Sequence, residues 1–226
     1  MVGAGAGLGA LRRALSALRS SHVTDLSDLA TRLRTRLDPL DRLSAATRSD
    51  RDLTPHWPER PAEYRPAAVL APIIMRPEGW TMLFTQRAEE TPAHPGQISF
   101  PGGRVQAEDG SPLETALRET QEEIGLARAF IEPLGAWDRY ETGTGFRITP
   151  VVGLVRPGFE LKLDPREVAG VFETPLSFLL NPANHEKHQA EWQGIVRTFY
   201  AMPHEGRFIW GATAGMIRAL YERLYE

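Results

Sequence analysis

The chain has 226 residues, about one and a half times a typical domain, which favours one domain with an extension over two full domains. Its 42% hydrophobic and 24% charged residues suffice for a sizeable core and exclude a disordered or fibrous chain, and a net charge of −3 gives no global signature of a nucleic-acid or membrane-surface binder. The absence of cysteine excludes disulfide scaffolds, thiol catalysis and Cys-based metal sites, leaving oxygen and imidazole as metal donors.

Residues 1–24 carry Arg12, Arg13 and Arg19 and no acid, with Leu8, Leu11, Leu15 and Leu18 at helical spacing. The stretch reads as an amphipathic helical extension packing on the domain or a partner, with an organelle transit peptide as the alternative. Asp25-Leu26-Ser27-Asp28 caps a second helix to about Leu37, whose face carries Leu26, Leu29, Leu33 and Leu37, and Pro39 ends it. From Arg48 to Pro66 the chain is polar and proline-rich, a linker or an extended wrap. The reading is thus a helical extension and Pro-rich linker over 1–64 and a domain over 65–226. In that domain Ala67–Met75 and Trp80–Thr85 flank a Pro77-Glu78-Gly79 turn and predict a hairpin. A helix follows from about Ser111 to Ile124, then strands near Phe130–Trp137, Phe146–Val155, Val168–Thr174 and Val196–Met202, and a last helix over about Ala212–Tyr225. This order predicts an α+β fold, a three-layer α-β-α sandwich around a mixed sheet. No apolar run approaches the roughly 20 residues of a membrane-spanning helix, so no membrane partner is expected.

The chemistry concentrates between Glu108 and Glu123, a stretch with six acids and one base in an otherwise nearly balanced chain. Ser111 and Glu114 stand in S-x-x-E register, a capping box that starts a helix. At about 100° per residue, Leu113, Leu117, Thr120 and Ile124 form one inward stripe, while Glu119, Glu122 and Glu123 share an arc of about 100° on another face. Three carboxylates so close repel one another, and Arg118 supplies only one opposing charge. A divalent cation resolves the conflict, since Mg²⁺ takes oxygen ligands and shares its shell with substrate phosphates; the alternative is a solvated acidic face.

Gly103 together with Arg118-Glu119-Thr120-Gln121-Glu122-Glu123-Ile124-Gly125-Leu126 resembles the Nudix box, G-x5-E-x7-R-E-U-x-E-E-x-G-U, where U is bulky and apolar. Two departures stand out. Gly103 lies one residue further from Arg118 than in the pattern, with Asp109 nearest to the first glutamate's place, and Thr120 occupies an apolar position. Upstream, Leu83-Phe84-Thr85-Gln86-Arg87-Ala88 and Gly96 through Phe100-Pro101-Gly102-Gly103 are similar to the extra signature of the coenzyme A pyrophosphatase branch, except that Pro92 replaces an arginine. The resemblance implies a Nudix fold, with a mixed sheet between helices, and Mg²⁺- or Mn²⁺-dependent hydrolysis of a nucleoside diphosphate linked to another group. For this branch the substrate is coenzyme A or acyl-coenzyme A, cut to (acyl-)phosphopantetheine and adenosine 3′,5′-bisphosphate. By the same analogy Glu119, Glu122 and Glu123 ligate the metal and Arg118 holds Glu122 or its neighbours. Gly102 and Gly103 let the backbone approach the ligand, and Arg87 and Arg104 meet substrate phosphate. The general base is Glu119 or a glutamate from a distal loop, for which Glu167, in a segment similar to the branch's P-x-E-V-x-x-V-F, is the candidate; its alternative is an exposed turn glutamate.

Other features carry less. His185-Glu186-Lys187-His188 lacks the H-E-x-x-H register of a zinc protease. His94 reads as loop surface or pocket mouth, and Trp210 as core or site wall. The competing activities are Nudix hydrolysis of NADH, ADP-ribose or a nucleoside triphosphate and, in another class, a catalytically silent nucleotide-binding Nudix domain. The expected partner is a small nucleotide, with no nucleic acid; the resemblance allows a homodimer. Zero cysteine and no export signal fit a cytoplasmic location, with an organelle address through residues 1–24 as the alternative.

Overall fold

The computed structural model describes residues 26–54, 61–91, 94–192 and 194–226. The amphipathic reading of residues 1–24, and Pro92, lie outside them. Helix α1 (Leu26–Arg36) buries Leu29 and Leu33, with Leu37 just beyond, as the leucine spacing predicts. Strand β1 (Thr47–Ser49) leads into a 3₁₀ turn over Asp50–Leu53, where Ser49 and Asp52 form a capping box. Residues 47–54, a strand and a 3₁₀ turn, are therefore an ordered wrap. The hairpin of β2 (Arg65–Arg76) and β3 (Gly79–Arg87) follows, then the short β4 (Ile98–Ser99) and β5 (Gly102–Arg104). Helix α2 (Pro112–Ile124) precedes β6 (Ile131–Ala136), β7 (Arg139–Glu141), β8 (Phe146–Val155) and β9 (Val168–Pro175). A single turn, α3 (Leu176–Leu179), leads to β10 (Glu186–Trp192), β11 (Ile195–His204), β12 (Arg207–Trp210) and helix α4 (Gly211–Tyr225).

Among the described residues β1–β9 make one mixed sheet and β10–β12 a second, antiparallel one. β2 and β8 lie side by side in parallel at the centre, from Arg65 against Phe146 to Ile74 against Val155. The long apolar run of β2 follows from cover on both faces. Ala68, Leu70 and Ile74 pack with Leu117 and Ile124 of α2, whereas Val69, Ala71 and Ile73 join Leu29, Leu33 and Leu37 and the α4 residues Ile217 and Leu220. This is the α-β-α layering expected. The wrap belongs to the same body, since β1 pairs in parallel with β7.

Sequence patterning missed β10, because its mostly exposed residues have no apolar alternation; its backbone ladder to β11 makes the strand. The capping box of α2 is half made. Ser111 accepts the Glu114 N–H at 3.2 Å, but the Glu114 carboxylate pairs with Arg128. No helix among the described residues is long and apolar enough to cross a membrane.

Candidate active site

The site begins where β5 lies on the central strand, Gly102 opposite Val69 and Gly103 opposite Ala68. Gly102 has φ +151°, and a Cβ there would sit 2.6 Å from the Val69 Cα. That proximity lets its N–H donate to Glu123 Oε2 at 3.1 Å. Gly103 is constrained by a side chain instead, since a Cβ would lie 2.5 Å from the Glu119 carboxylate. Thr120 fits the apolar box position by donating its hydroxyl to the Ala116 carbonyl at 2.6 Å while fully buried.

Arg118 is the hub of the acidic helix. Its guanidinium donates through Nε and Nη2 to both Asp109 oxygens, at 3.0 and 2.9 Å, and through Nη1 to Glu119 at 2.8 Å and Glu122 at 3.0 Å. Asp109 also accepts from Thr115 Oγ1 and the Gln106 N–H, so Arg118 and these donors hold its carboxyl far below the usual carboxylate range. It therefore serves as a clamp on Arg118. The acidic face divides: Glu119 and Glu123 line the neighbouring cleft, while the Glu122 side chain, 58% exposed, stays on its solvent side.

The helix end brings in the distal acid. Gly125 closes α2 in the left-handed conformation (φ +70°), and a Cβ there would crowd Lys162. Lys162 N–H donates to the Ile124 carbonyl and Asp164 N–H to that of Glu123, both at 2.9 Å, so the loop after β8 caps the helix. Glu167, three residues on, accepts the Ala88 N–H at 2.9 Å through its carbonyl and lines the cleft with Glu119 and Glu123. Burial raises the Glu119 pKa, with Arg118 opposing and Glu122 and Glu167 adding to it. Burial pushes Glu123 up to about 8, against the Gly102 hydrogen bond and with Glu119 reinforcing it.

The cleft encloses about 770 Å³, within the usual range for small-molecule sites. Arg87 enters from the end of β3, where a register shift against β9 falls between Gln86 and Arg87, and its charge opposes the rise at Glu123. Arg104 lines the cleft with its guanidinium 5.4 Å from the Phe146 ring, on a backbone whose carbonyl accepts from Arg118. His94 and Trp210 also line it.

A NUDIX domain profile matches residues 64–199. Over 163 residues the chain is 39% identical to the uncharacterized Nudix hydrolase NudL of Yersinia pestis (strain Pestoides F), covering 72% of this chain and 81% of that protein. The chain belongs to the Nudix hydrolase family. A crystal structure of a C. elegans Ap4A hydrolase binary complex shares 18% identity, with a TM-score of 0.43 over 49% of this chain and 80% of its own. The MutT protein of Methanosarcina mazei Go1 shares 22%, with a TM-score of 0.42 over 54% and 83%.

This Nudix hydrolase acts on nucleoside diphosphate derivatives, and its cleft has a donor set that fits a hard divalent cation. Glu119, Glu123 and Glu167 face one space, and the Glu167 charge adds to the rise at both Glu119 and Glu123, the sign of unneutralised negative charge. Among the described residues no three acidic or imidazole side chains stand close enough together, as they are placed, to hold a metal ion. Elsewhere the cleft is lined by residues that motif reading passed over. Asp50 of the wrap accepts Tyr140 Oη at 2.8 Å and the Gly143 N–H at 2.9 Å, and Arg197 Nη2 stands 3.8 Å from it. Asp50 and Arg197 both line the cleft with Thr142 and Phe146. They are 147 positions apart in the sequence, and no local pattern links them.

Proposed function

We propose that this Nudix hydrolase is a Mg²⁺- or Mn²⁺-dependent diphosphatase that cuts coenzyme A or its thioesters to (acyl-)phosphopantetheine and adenosine 3′,5′-bisphosphate. The observation that carries the reading is the segment from Leu83 to Gly103, which resembles the coenzyme A branch and contributes Arg87, Phe100, Gly102 and Gly103 to the cleft. Water attacks one phosphorus, the bridging P–O bond breaks, and the water proton passes to a carboxylate, leaving two phosphate monoesters. Glu119 and Glu123 would hold the cation, with Glu122 reaching it only by release from Arg118. When bound, the cation neutralises diphosphate charge and lowers the pKa of the attacking water.

The chain's own groups do the remainder. Arg87 offers a guanidinium to a non-bridging phosphate oxygen beside Glu123. Arg118, clamped by Asp109, fixes the orientation of Glu119. Glu167 is the candidate base: it comes from a different element than the helical acids, and its backbone is fixed between β3 and the end of α2. Hydrolysis of coenzyme A, dephospho-coenzyme A, NADH, ADP-ribose and dATP with Mg²⁺, with products identified by mass, tests the reading. Preference for coenzyme A supports it. Preference for any other substrate leaves the family assignment and removes the coenzyme A activity.

A further inference from the structure

The face of the second sheet that meets the cleft carries its own recognition chemistry. In the β10–β11–β12 ladder Arg197 lies opposite Ala190, Phe199 opposite His188, and Ala201 opposite both Glu186 and Trp210, so Arg197, Phe199 and Trp210 project from one face. The Phe199 and Trp210 rings are 5.3 Å apart between centroids, and Arg197 and Trp210 both line the cleft. Their planes are tilted by 59°, so Trp210 is the ring offered to the cleft, and an indole beside a guanidinium suits a nucleotide base and an anion together.

We infer that this face binds the adenosine half of the substrate, with Trp210 against the purine and Arg197 on the phosphate monoester of the ribose. The assignment rests on the coenzyme A reading above and specifies which end of that molecule meets which wall. Three comparisons of charge and exposure support it. The diphosphate belongs with Arg87 and the carboxylates, so a second phosphate needs another cation. Arg104 is exposed, which weakens an ion pair by hydration, whereas the Arg197 side chain is 24% exposed. The pantetheine arm is uncharged and gains nothing from a guanidinium. Asp50, whose oxygens accept from Tyr140 and Gly143, is fixed in the wall and stands at 3.8 Å from Arg197, a separation that orients the guanidinium without a close hydrogen bond between them. The wrap from the N-terminal part of the chain thereby becomes a positioning element for this subsite.

Calorimetric titration of the full chain in EDTA with adenosine 3′,5′-bisphosphate and with AMP separates this site from the metal chemistry. The wild type should bind the bisphosphate about tenfold more tightly than AMP, and R197A should abolish that preference while changing AMP by less than about twofold. W210L should weaken both ligands about tenfold, and W210F should retain both. If R197A does not fold, R197Q keeps a shorter, uncharged polar side chain and reads the same ratio. Equal loss of both ligands in the Arg197 variants, or an undiminished preference, overturns the inference, as does W210L binding like the wild type. A wild type that hydrolyses coenzyme A while R197A keeps the preference overturns this assignment alone. A wild type that ignores coenzyme A overturns the reading beneath it.

Discussion

Gly103 and Glu119 are in such close contact that a methyl group on the glycine would stand 2.5 Å from the glutamate's carboxyl carbon. The obstructed atoms belong to the end of a flexible side chain, so Gly103→Ala should leave the fold intact and turn Glu119 away from Arg118 and the cleft. Gly102 offers the opposite case, because its φ of +151° and the nearby Val69 Cα involve backbone that cannot step aside. G103A should therefore melt close to the wild type and lose about a hundredfold in turnover. G102A should lose about 2 kcal/mol or more of stability. Thermal melts and steady-state rates on the two variants check the contrast; equal destabilisation would show that Gly103 is a fold position.

Glu123 links stability, pH and metal. Burial holds its acid form up to about 8, above an ordinary value of 4.5, so its protonated state favours the folded chain. That contribution is complete below about pH 4.5 and is lost as pH rises through 8. In EDTA the wild-type Tm should therefore decline between pH 5 and pH 8, E123Q should lack this decline, and E123Q should be the more stable of the two at pH 8. Mn²⁺ should raise the wild-type Tm most at the alkaline end and leave E123Q nearly unmoved. Turnover of E123Q should drop by about a hundredfold or more. Melts over this pH range, with and without the ion, decide it.

Asp109 gives the reverse sign. Arg118 and the backbone and hydroxyl donors hold its pKa below the ordinary 3.8, so its contribution is present above that pH and is lost progressively as the solution becomes more acid. D109N should be less stable than the wild type at pH 6, and the gap should close as pH falls from 4 toward 2. Release of Arg118 from this clamp should also lower turnover, because Glu119 loses a fixed partner. A gap that persists unchanged at pH 2 would rule out ionisation as its source.

Local periodicity carried most of the fold into view. The stripe of Leu117, Thr120 and Ile124, the apolar run of β2 and the leucines of α1 each required a buried face, and each has one. The turn glycines and the acidic helix were legible for the same reason, since their constraints lie within a few residues. The helical wheel could not separate Glu122 from Glu119 and Glu123: what divides them is the approach of β5 and of the Lys162–Glu167 loop, which belongs to tertiary packing. Asp50 and Arg197 were invisible because only the tertiary packing of the 3₁₀ turn over Asp50–Leu53 on β11 brings them together.

Leu33 provides a test of how the N-terminal helix belongs to the molecule. It is 1% exposed, in a core shared with Leu29, Leu37 and the α4 residues Ile217, Leu220 and Leu224. The helix is also tied at its surface, where Arg32 Nη1 donates to the Leu224 carbonyl at 2.9 Å. If α1 were an appendage, removal of the Leu33 side chain would cost little. Its burial instead predicts that L33A loses about 2–5 kcal/mol, the range for an emptied leucine site in a packed core. The cleft lies on other residues, so kcat/KM measured well below the lowered Tm should stay within about twofold of the wild type. Urea unfolding should show a single transition displaced to lower denaturant, since α1 and α4 share one core. A second, separate transition for L33A would make α1 an independent unit and remove it from the hydrolase core.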